Sequence, residues 1–157
     1  QGLDADLQFL PDQHLELGSG LTSLGIIEYT AERYQDSEAL LRRACDVLTR
    51  GGHKRGVARS RLHLAQVLFL SRRYAEAVEQ MGMVGQLCGE LGYHQFLVPD
   101  CRLVYPLVKY MASRGTYGKF FGQLSQQLQE LYHQIEREMS GKKAPIGKGR
   151  NPQKSNR

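Results

Sequence analysis

Arg33-Tyr34-Gln35-Asp36-Ser37 returns forty residues later as Arg73-Tyr74-Ala75-Glu76-Ala77, and the agreement extends to both sides. Leu24-Gly25 aligns with Leu64-Ala65, Leu41 with Met81, Ala44 with Val84 and Leu48 with Cys88, all without a gap. Small, aromatic and apolar classes agree at each position. A fixed period in this range is the signature of a stacked repeat, in which one supersecondary unit is copied and each copy covers its neighbour's apolar face.

Each unit reads as two helices. Leu21, Leu24, Ile27 and Ala31 form one stripe at three-four spacing, and Leu40, Leu41, Ala44, Val47 and Leu48 form the next. In the second unit Leu62, Leu64, Ala65, Leu68 and Phe69 are followed by Ala77, Val78, Met81, Val84 and Leu91. Gly51-Gly52 and Gly92 punctuate the ends of the hairpins. The Arg-Tyr pairs mark the turn within each hairpin. Asp36 and Glu76 then fall in the first turn of the second helix, where the dipole favours acids. This alignment places Tyr34 and Tyr74 in equivalent sites wedged at the turns. It also predicts burial of Leu24, Leu41, Ala44, Leu64, Met81 and Val84.

A third unit is worn. Its first helix is expected over Tyr93–Ser113, with Pro99 at a boundary and Pro106 kinking it or ending it early. The second is expected over Tyr117–Met139, carrying Phe121, Leu124, Leu128, Leu131, Ile135 and Met139. Residues 1–13, with Leu3 to Leu10 apolar, read as the end of a preceding helix or linker, and the chain as a fragment of a longer protein. Residues 14–139 read as the repeat domain and 140–157 as a disordered basic tail or linker. The architecture is therefore all-α, a solenoid of about three hairpins.

The repeat resembles the tetratricopeptide pattern: Leu21, Leu24-Gly25, Tyr34, Ser37, Leu41 and Ala44, then Leu64-Ala65, Tyr74, Ala77, Met81 and Val84. The second copy departs with Arg61 at the first position, and neither copy has the closing Pro. The 40-residue period is longer than the common 34. In this it is similar to the arrays of large bacterial signal-responsive transcriptional regulators of the MalT-like and antibiotic-regulatory-protein types. That resemblance implies a cytoplasmic sensor or scaffold module, with DNA handled by a flanking domain. The partner it implies is a protein or peptide, or another domain of the same polypeptide.

Composition separates a body from a tail. Of 21 Lys and Arg, six (Lys142, Lys143, Lys148, Arg150, Lys154 and Arg157) lie after Ser140, where there is no acid. The remaining 15 face 16 acids, a net −1, so the basic pI of about 9.2 belongs to the tail. Three cysteines without a CxxC pair, all in apolar patterns, fit a reducing compartment better than a disulfide framework. No apolar run approaches the length of a membrane span.

Gly141 and Gly147 are one residue too far apart for a phosphate loop, and Gly149 stands where its Ser or Thr belongs. The five histidines are scattered, and His94 with Cys101 would supply only two ligands. No catalytic, metal or cofactor residue is assigned, and an enzyme is not expected. If first helices line a groove, the family alignment puts Ser19, Thr22, Ile26 and Tyr29 there from the first unit. The second contributes Arg59, Leu62, Gln66 and Phe69, and the third Arg102, Lys109 and Tyr110. This is an aromatic floor with basic groups, suited to an acidic segment. The alternative is nucleic-acid binding through the basic tail and the Arg42–Arg73 band, which holds nine basic residues and one acid.

Overall fold

The computed structural model describes residues 10–114 and 117–149, with side chains as far as residue 141. Six α-helices appear among them: α1 Pro11–Thr30, α2 Tyr34–Arg50, α3 Lys54–Leu70, α4 Tyr74–Leu91, α5 Tyr105–Ala112 and α6 Gly118–Gly149. No strand occurs among the described residues. Helices α1/α2 and α3/α4 are the two hairpins of the 40-residue repeat. The expected helix end in residues 1–9 lies outside the described residues.

The turns explain the period. At the end of α1, Arg33 N–H reaches Glu28 O and Glu32 N–H reaches Tyr29 O; at the end of α3 the same pair of bonds joins Arg73 to Leu68 and Arg72 to Phe69. This double closure satisfies carbonyls that the helix leaves unpaired, and it needs a left-handed residue. Glu32 (φ 66°) and Arg72 (φ 63°) supply it, although neither is a glycine. Between the hairpins Gly52 takes the same position at φ 73°.

Within the first hairpin two glycines let the helices touch. A Cβ on Gly25 would stand 2.5 Å from Leu41 Cγ, and one on Gly18 would stand 2.3 Å from Leu48 Cγ. Ser37 Oγ–H donates to Gly25 O at 2.7 Å, tying the second helix to the first. The core then runs from Leu41, Cys45, Leu64 and Leu68 into Met81, Val84, Leu97, Leu107, Phe121 and Leu124.

Leu24 corrects the expected core: it is 49% exposed, while its counterpart Leu64 is 1% exposed. Leu41, Ala44, Leu64, Met81 and Val84 are buried as expected. The difference is positional. Helix α2 packs on the Leu64 side of α3, and no described helix lies on the Leu24 side of α1, so Ile27 and Ala31 of the predicted stripe also face outward. Tyr34 and Tyr74 do occupy equivalent places, each opening a second helix, but Tyr74 is 48% exposed and rests edge-on against Phe69.

The third unit departs most. In place of one helix over Tyr93–Ser113 there are two short 3-10 turns, Gln95–Leu97 and Asp100–Arg102, before the eight-residue α5. Pro106 sits in the first turn of α5 rather than kinking its interior, because there its missing N–H costs nothing. Helix α6 continues past the expected end at Met139 to Gly149. The tail from residue 150 lies outside the described residues.

Candidate functional site

The predicted groove residues do not form one surface. Leu62 is fully buried and belongs to the core, and Tyr29 is 4% exposed. Phe69 and Tyr110 make an aromatic cluster with Tyr74, their ring centroids 6.2 Å apart, and Arg114 covers the Tyr110 ring. Arg102 lies over Tyr132 and Lys109 over Tyr105, while Arg59 is bonded to Asp100. Ser19 is exposed, Ile26 is half-buried, and Thr22 is buried with its hydroxyl donating to Gly18 O. Gln66 is buried, and its Oε1 has no hydrogen-bond partner among the described residues.

What sequence reasoning missed is a polar chain through all three units. Tyr29 Oη meets His63 Nδ1 at 2.8 Å, and His63 Nε2 meets Asp100 Oδ1 at 2.9 Å. Arg59 Nε donates to both oxygens of Asp100 at 3.0 Å. One arrangement satisfies every atom: Tyr29 O–H donates to Nδ1, and Nε2–H donates to the carboxylate. His63 is fully buried, so both ring nitrogens need partners. Burial alone would raise the Asp100 carboxyl, but the bonds from His63 and Arg59 outweigh it and hold it below the usual range. Burial, then the Asp100 charge, pushes the Tyr29 phenol well above its ordinary value. Arg59 and His63 lie four apart on one face of α3, and that pairing was the available signal. Their acid stands 37 residues beyond His63, inside a segment the period does not describe.

Beside this chain a cleft of about 630 Å³ opens between α1, the start of α3 and the 3-10 segment. Leu15, Leu91 and Phe96 give it apolar walls, and Lys54, Arg55 and Arg59 give it charge. The first turn of α3 carries no acid, so the positive helix end adds to these cations. Arg59 is spoken for by Asp100, and Lys54 reaches Glu90 at 3.4 Å. Arg55 lies over the Tyr93 and Phe96 rings at 5.9 and 5.4 Å and makes no ion pair among the described residues.

The other reactive groups are occupied or quiet. Burial pushes the Cys88 thiol up to about 11 and, with the Asp100 charge beside it, Cys101 up to about 12; Cys45 is also raised by burial. His94 meets Gln127, and Cys101 is buried. Among the described residues no three His, Cys, Asp or Glu converge as a metal site would require, and no helix is long and apolar enough to cross a membrane.

A family model for the tetratricopeptide repeat matches residues 16–83. These residues are a tetratricopeptide-like repeat. The match takes in α2, α3 and most of α1 and α4, the part of the chain where the 40-residue period holds. No curated protein and no solved structure matches the chain. Tetratricopeptide repeats in general mediate protein–protein interaction rather than catalysis.

Proposed function

We propose that the chain is a protein-interaction module that takes an acidic segment of a partner at the cationic end of its first-helix face. The observation that carries this is Arg55. It is an exposed guanidinium seated on two aromatic rings, with no carboxylate partner among the described residues, at the mouth of a cleft large enough for several side chains. A planar guanidinium pairs with both oxygens of a carboxylate, and stacking fixes its orientation beforehand. Arg59, the anchor chosen from the sequence, serves instead to hold Asp100. The 40-residue period supports placing the module in a bacterial signal-responsive transcriptional regulator of the cytoplasm, its partner being another domain or an effector protein.

The nucleic-acid reading loses support from the pairing of the basic band. Arg42 faces Glu38, Arg73 faces Glu38 and Glu76, and Arg59 faces Asp100. A titration with a fluorescein-labelled peptide of alternating Asp and Leu tests the proposal. Arg55→Ala with Phe96→Ala should still fold, at a lowered melting temperature because Phe96 packs against the core, and weaken binding about tenfold or more, on the scale of one charge-assisted pair. Unchanged affinity in the folded double variant would move the site elsewhere. Tighter binding of a single-stranded oligonucleotide, with a steep salt dependence, would restore the alternative.

A further inference from the structure

The outer side of α1 carries Leu10, Gln13, Leu17, Gly20, Leu24, Ile27 and Ala31, spaced alternately by three and four residues. That is a 3.5-residue seam, the geometry in which one helix lies along another. Leu10 is 67% exposed, Leu24 49% and Ile27 55%. Gln13, Glu16, Leu17, Gly20, Leu21 and Leu24 line a shallow groove of about 450 Å³ along it.

The repeat shows what such a seam accepts. Forty residues on, the same positions of α3 are Val57, Ser60, Leu64 and Val67, and all four are buried, none above 6%. They are covered by α2: Leu41 and Cys45 pack with Leu64 and Val67, and Ser60 Oγ lies 3.2 Å from Cys45 Sγ. At Gly20, the counterpart of Ser60, a Cβ would meet nothing within 4 Å. The α2–α3 contact is thus repeated on α1 with one partner absent.

We propose that the outer stripe of α1 is a docking surface for an amphipathic helix with the apolar spacing of α2. Its source is the second helix of another hairpin of this repeat type, lying ahead of α1 in the same polypeptide. Small and branched apolar residues at Leu41, Cys45 and Leu48 positions fill the notch at Gly20 and cover Leu17, Leu24 and Ile27. Glu16 at the groove edge favours a basic flank on that helix. This surface is separate from the cationic cleft and stands whether or not that cleft binds an acidic segment.

The test joins a copy of residues 33–53 in front of His14, in place of residues 1–13, which reproduces the α2–α3 connection. The extended chain should melt at least about 5 °C above the 157-residue chain, as expected for burying several large apolar side chains. Leu24→Glu with Ile27→Glu should remove that gain. In the unextended chain, where both residues are half exposed, the same pair should lower the melting temperature by less than that gain. An extended chain that melts with its parent, or keeps its gain with both glutamates, overturns the proposal. Sedimentation of the 157-residue chain settles the source. A monomer at all concentrations supports a helix in cis, and a dimer dissolved by the two glutamates puts a second copy on the stripe and overturns it.

Discussion

Replacing Asp100 by Ala removes the acceptor on which His63 and Arg59 of the second unit converge. His63 Nε2–H is left buried without a partner, and an unsatisfied buried donor costs about 1–3 kcal/mol. The Arg59 pair contributes less, because its side chain is 34% exposed against 13% for Asp100; such a half-screened pair adds about 1 kcal/mol. The two together give an expected loss of about 2–4 kcal/mol. Urea denaturation followed by far-ultraviolet circular dichroism measures it as a lower midpoint at unchanged slope. Asp100→Asn keeps an acceptor oxygen for His63 but gives up the charge, so it should recover roughly half of the loss. A cycle with His63→Leu should show coupling of about 1–2 kcal/mol, since each change disables the same bond. A loss under 0.5 kcal/mol for Asp100→Ala, or strict additivity with His63→Leu, would refute the reasoning that this chain of bonds holds the third unit to the second.

Leu64→Ala should cost about 2–5 kcal/mol through a cavity, and Leu24→Ala, its counterpart, about 1 kcal/mol or less; equal costs in denaturant melts would contradict the end-of-array placement. Asp100 also sets an acid limit. Its carboxyl is depressed in the fold, so its stabilisation is present above the unfolded value of about 3.9 and is lost as pH falls through the lower folded value. Thermal melts below pH 4 should fall more steeply for the parent than for Asp100→Asn. Arg72→Gly should raise stability by about 1 kcal/mol, because a left-handed residue with a Cβ is strained; no gain in the urea midpoint would argue against that turn.

The period was legible because every copy must present the same classes of side chain to its neighbours. Leu41, Ala44, Leu64, Met81 and Val84 could be placed in the core from spacing alone. Leu24 could not, since its spacing is that of Leu64 and only the presence of α2 against α3 separates them. The first helix of the third unit failed for a local reason. Pro99 and Pro106 each remove a donor, and the chain divides into short turns where a regular repeat would have one helix. The groove failed with it, because Arg102, Lys109 and Tyr110 were positioned by an alignment that this segment does not obey. Arg55 was passed over because it stands one turn before the alignment's first groove position in its helix.

The Tyr29–His63–Asp100 chain also bears on how such an array comes apart. A solenoid held only by nearest-neighbour contacts frays from its ends, and amide exchange grades smoothly from the tips inward. Here the first, second and third units share one hydrogen-bonded line, and opening either end strands a buried imidazole in the middle. Loss of the third unit therefore withdraws support from a tyrosine in the first. The array should exchange as one cooperative block from α1 to the 3-10 turn at Asp100, with the gradient beginning only beyond it.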